Sequence, residues 1–112
     1  MAVAEEWDEV EEAFDRLEGH SALQMTLAAM RKLAHMVRHD AAFANVHPRV
    51  SMVSIFFARE QAERRVYVTW HEDGGYKVAF VDPPLEFSER TMVREDAVVR
   101  VLREYLDRLG AT

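Results

Sequence analysis

The sequence predicts an α+β fold in the order α-α-β-β-β-α. Three observations predict it. Near both ends, apolar residues recur every three to four positions, the spacing of amphipathic helices. In the middle they alternate in twos, the spacing of strands. The connections are short, which favours a three-stranded antiparallel meander with the helices packed on one face. A fourth strand is open at Thr91-Met-Val.

The elements follow in order. Val3, Trp7, Val10, Phe14 and Leu17 form one stripe and predict a helix over about 4–18, with Gly19 placed to cap it. Ser21-Ala-Leu-Gln24 matches a capping box, with Ser21 as N-cap and Gln24 reaching back. It opens a second helix over about 22–44. Leu23, Leu27, Met30, Ala34, Val37 and Ala41 share one sector of that helix. Met25, Ala29, Leu33, Met36 and Phe43 widen it, so two sides should be covered. Pro48 sets its end, because the residue before proline avoids the helical region. Strands are expected at 50–58, 65–71 and 76–82. Glu72-Asp73-Gly74-Gly75 is the hairpin signal between the last two, and Pro83-Pro84 stops the third. Residues 85–93 read as extended chain. A final helix over about 95–109 turns Val98, Val101, Leu102, Tyr105, Leu106 and Leu109 inward, with Gly110 as its cap.

One element fits its expected place poorly. The 50–58 segment is apolar on both faces, with Met52 and Phe56 pointing one way and Val53, Ile55 and Phe57 the other. In a three-stranded meander it lies at an edge, where a long apolar strand invites aggregation unless something covers it. The 85–93 segment, the first helix or a second copy of the chain could do so, and a homodimer is one expectation.

The 112 residues suit a single domain, 1–112. There is no cysteine, which excludes disulfides, thiol catalysis and cysteine-held zinc. No secretory signal or membrane-length apolar window is visible, so a cytoplasmic protein is expected. The net charge of -6 is unevenly placed. Residues 1–18 hold eight acids against the single base Arg16, a net −7, which leaves +1 for the rest. Residues 1–19 thus read as an acidic amphipathic helix that could serve as a docking or dimerisation arm. Residues 31–65 are the basic counterpart, with seven bases against Asp40, Glu60 and Glu63.

No chemical machinery is evident. There is no Gly-x-Ser-x-Gly, and Gly74-Gly75 opens no helix that could cradle phosphate. His35 and His39 are four apart on a helix, but a metal needs further ligands, and Arg31, Lys32 and Arg38 would repel it. His71-Glu72-Asp73 reads as solvated turn-formers. From the second helix onward the element order resembles that of a double-stranded RNA-binding domain. Where such a domain grips phosphate with lysines, this chain has Arg94-Glu95-Asp96-Ala97, and its first strand connection, Glu60-Gln61-Ala62-Glu63, is acidic. The likeness is one of order alone.

The expectation is therefore a small, acidic protein-interaction domain without catalytic residues, metal or cofactor: an adaptor, an immunity- or antitoxin-type partner, or a regulatory subunit. Its partner would be a basic protein. The candidate contacts are Glu5, Glu9 and Glu12 on the first helix and Arg31, Lys32, His35, Arg38 and His39 on the second. Two alternatives stand beside it. One is a ligand-binding protein or enzyme with a pocket between sheet and second helix, lined by Met30, Met36, Phe56 and Trp70. The other is nucleic-acid binding through Arg31, Lys32 and Arg38.

Overall fold

The alternating middle of the chain forms more strands than its pattern suggests. A computed structural model describes residues 2–60 and 62–109. Within them, helices α1 (Ala2–Arg16) and α2 (Gln24–Arg38) precede strands β1 (His47–Ser51), β2 (Ser54–Ala58), β3 (Arg65–Trp70), β4 (Tyr76–Asp82) and β5 (Glu86–Val93), and α3 (Glu95–Leu109) follows. The strands form one antiparallel sheet in the order β1-β2-β3-β4-β5. The α+β class and the meander hold, and the strand number is five instead of three or four. No described helix is long and apolar enough to cross a membrane.

The 50–58 segment accounts for one extra strand. It is not continuous: Ser51 pairs with Ser54 across a two-residue turn, Met52-Val53, in which Met52 has φ 57. Such turns need positive φ and normally signal it with Gly, Asn or Asp, which are absent here. β1 therefore folds back and covers β2 from the same chain, which removes the edge-strand reason for a second copy. Pro48 lies within β1, at the sheet edge, where a missing N–H is tolerated. The other extra strand is β5. Glu89, with φ 50, is a bulge where β5 gains one residue against β4 between Val78 and Phe80.

The second helix is shorter than 22–44. It starts after a single 3-10 turn at Ser21–Leu23, and Ser21 makes no capping bond. Gln24 does reach back, but its amide donates to the carbonyls of Glu18 (2.6 Å) and His20 (3.0 Å). The helix stops at Arg38 because Asp40 is extended and its carboxylate accepts from the Ala42 N–H at 2.9 Å. Arg103 donates to the same carboxylate, and the two contacts hold Asp40 below the usual carboxylate range. The turn Ala41–Phe43 then drops Phe43 into the core. Gly19 takes no left-handed cap. Gly74 does adopt φ +90 in the predicted hairpin. The side chain of Val3, Gln61 and Gly110 lie outside the described residues.

All three helices pack on one face of the sheet. Ile55, Phe57, Val66, Val68, Tyr76, Val78 and Phe80 point into it and join Leu27, Met30, Val37, Leu102 and Leu106 in one core cluster. α1 belongs to that core: Trp7 is 2 % exposed, Phe14 is 0 %, and the Trp7 ring lies 6.1 Å from Phe57. Arg49, Phe56, Arg65, Tyr67, Lys77, Ala79 and Phe87 occupy the opposite face by register.

A candidate protein-docking surface on the first helix

α1 packs against its own chain, and this divides its acids. Trp7, Val10 and Phe14 are buried. On the flank toward α2, Asp8 and Glu11 both receive Arg38, the first at 3.0 Å. Asp15 receives Arg31 at 2.6 Å, and Glu18 lies 3.9 Å from the same guanidinium. On the flank toward β1, Glu6 meets His47 Nδ1 at 2.7 Å. Glu5, Glu9 and Glu12 remain. At 100° per residue they fall within one narrow outer stripe. All three are exposed, and none has a basic partner among the described residues. They form an acidic ridge that ends at Arg16, also exposed.

The predicted basic stripe on α2 is partly engaged within the chain. Arg31 and Arg38 face α1 and carry its carboxylates, and Lys32 reaches Glu95 of α3 at 2.7 Å. The side chain of Arg38 is only 17 % exposed. The pairing explains the lopsided charge of the sequence: acidic helix and basic helix neutralise one another along a shared seam. The carboxylates of these pairs are solvent-exposed, and such pairs contribute about 0–1 kcal/mol each, so they set the register of α1 on α2 more than they hold it. His35 and His39 are exposed, with ring centroids 5.4 Å apart, edge to face. No group of three or more His, Cys, Asp or Glu side chains is placed to hold a metal among the described residues. The structure thus joins Arg31, Arg38 and the inner acids of α1 in one seam. It leaves Glu5, Glu9 and Glu12 apart from them.

The proposed small-molecule pocket does not assemble. Met30 is fully buried beneath α2, Met36 is on its exposed side, and Phe56 lies on the far face of the sheet. These side chains share no cavity. His71, Glu72 and Asp73 are exposed in the β3–β4 turn, which closes with His71 N–H to Gly75 O at 2.8 Å. What the sequence reading missed is the helix-free sheet face. Its signal is the two-faced apolar pattern of 50–58, which on sequence alone reads equally as a strand needing cover.

The family model for immunity protein Imm1 matches residues 2–112. The chain belongs to the Imm1 immunity protein family. No curated protein and no solved structure shows a significant match. Membership in this immunity family fits the expectation of a protein-interaction role and implies that the partner is a protein toxin. Among the expected partner classes it favours the immunity type over the adaptor and regulatory types.

Proposed function

We propose that this Imm1-family chain neutralises its toxin by direct binding, and that the acidic ridge Glu5–Glu9–Glu12 meets a basic patch on that toxin. The observation that supports the ridge is its isolation. Four acids of α1, and Glu18 just after it, are matched by bases or a histidine of the same chain, whereas these three are exposed and unmatched among the described residues. Carboxylates on a rigid helix, not used in folding, raise the local potential and steer an oppositely charged partner. α1 is rigid here because its other side is core.

Removing residues 1–18 would not test this, since it also removes Trp7 and Phe14 from the core. Charge-neutral surface variants do. The triple variant Glu5→Gln, Glu9→Gln, Glu12→Gln should fold normally and bind the cognate toxin with an association rate about tenfold lower at low salt. The deficit should shrink as salt screens the ridge. Surface plasmon resonance across a salt series reads both quantities. An unchanged association rate at low salt would remove the ridge from the interface.

A further inference from the structure

The sheet face that carries no helix has a composition suited to binding. Phe56 on β2, Tyr67 on β3 and Phe87 on β5 form a row across it, with ring centroids 5.1 and 4.8 Å apart. β4 lies between Tyr67 and Phe87, and the residue it contributes opposite Tyr67 is Ala79. Its methyl is short enough for the two larger rings to meet above it, and Ala79 is itself fully buried. Arg49 pairs with Phe56 in register, Arg65 and Lys77 stand on the same face, and the Arg90 guanidinium lies 5.8 Å from the Phe87 ring centre. These four bases carry no carboxylate partner among the described residues. No acid occupies this face within the strands: Asp82 is bound by Arg64, and Glu89 by Arg108 of α3. Glu63 sits at one end, in a groove it lines with Phe56, Arg65 and Leu85. Met92, 51 % exposed, extends the apolar strip beside Lys77.

Aromatic rings ringed by arginine are the composition of energetic centres in protein interfaces. We infer that this face is a second docking surface, and that it takes an acidic polypeptide segment carrying apolar side chains, supplied by the protein partner. The inference rests on the immunity reading for the partner being a protein. The charge on the face favours acidic chemistry: it carries four bases with no ion-pair partner among the described residues, and the acids near them, Glu63 and Asp82 by Arg65 and Glu9 by Arg49, stand at its rims. The rings select polypeptide over single-stranded nucleic acid. Successive bases need flat, accessible ring faces to stack on. Here neighbouring rings are inclined at 58° and 68°, so they offer no run of parallel ring faces, whereas apolar side chains pack against inclined rings.

The test uses the 112-residue chain and a fluorescent glutamate-rich Glu/Tyr copolymer as the probe, with labelled oligothymidylate as the competing chemistry. Anisotropy should show binding of the copolymer that weakens by about tenfold or more between about 0.05 M and about 0.5 M salt. The double variant Arg65→Glu, Lys77→Glu should lose it, whereas Arg100→Glu, on the exposed side of α3, should change it less than about twofold. Tyr67→Ala should weaken binding while leaving the salt dependence in place, which separates the ring from the charge. Three results would overturn the inference: no copolymer binding by the wild-type chain, equal losses in the double variant and in Arg100→Glu, or displacement of the copolymer by oligothymidylate at lower concentration. A chain that neutralises its toxin and yet ignores the copolymer refutes this surface alone. A chain that binds the copolymer but not the toxin refutes the immunity reading alone.

Discussion

Tyr76 shows how one residue couples the sheet to the helical layer. It starts β4, is almost completely buried, and its hydroxyl donates to the Ala29 carbonyl of α2 at 3.1 Å. Burial, helped by the negative charge of Glu95, pushes its phenol from 10.0 up to about 12. The fold therefore holds the neutral form. Between these two values the unfolded chain releases a proton that the folded chain keeps, so this contribution is complete below pH 10.0 and declines as pH rises toward about 12. Tyr105, raised by burial, acts in the same direction. Tyr76→Phe should cost about 1 kcal/mol at neutral pH, the net value of a lost hydrogen bond. It should also flatten the alkaline loss of stability relative to wild type. Urea unfolding of both chains on either side of pH 10.0 measures both effects, and parallel alkaline losses would show that Tyr76 does not titrate as its burial demands.

Among the elements, α1 carries the clearest stability prediction and the clearest lesson in legibility. Its stripe of Trp7, Val10 and Phe14 reads directly from the 3–4 spacing, and all three are core. Whether that stripe packs against this chain or another is a question of tertiary contact, which spacing cannot answer. Phe14→Ala should cost about 3–5 kcal/mol, because a fully buried ring leaves a cavity. Domains are typically stable by about 5–15 kcal/mol, so deleting residues 1–18 should unfold the chain. Circular dichroism melts separate the outcomes, and a cooperative melt from the truncated chain would mean that α1 is an appendage. The β1–β2 hairpin illustrates the opposite case. Its turn, Met52-Val53, holds φ 57 on a residue that gives no turn signal, so 50–58 reads as one strand. β5 was legible in part, as extended chain over 85–93 with a fourth strand open at Thr91-Met-Val; the bulge at Glu89 breaks the alternation that would have marked its full length. The acidic ridge was legible because its residues are local in sequence. The aromatic sheet face was not, because Phe56, Tyr67 and Phe87 meet only once strand register is known.

At the scale of the whole molecule, the question is whether the chain acts alone or as a pair. The sequence argument for a pair was an apolar strand left at an edge, and the larger part of that segment, β2, is interior, between β1 and β3. The actual edges are both guarded. β1 places Pro48, which has no N–H, and the charged Arg49 along its length. β5 is broken by the Glu89 bulge and exposes Glu86, Glu89 and Arg90. Proline, charge and bulges are the devices that keep sheet edges from pairing. The two charged surfaces, ridge and sheet face, have opposite sign and different shape. The ridge lies on the helical side of the sheet and the ring row on its helix-free side, so a contact between them runs head-to-tail. The chain should therefore elute as a 13.0 kDa monomer at physiological salt and bind its toxin with one copy at the contact. Size-exclusion chromatography with light scattering decides this. A stable species of twice that mass would require a symmetric contact, and Met25, 72 % exposed at the start of α2, would be the first place to look for it.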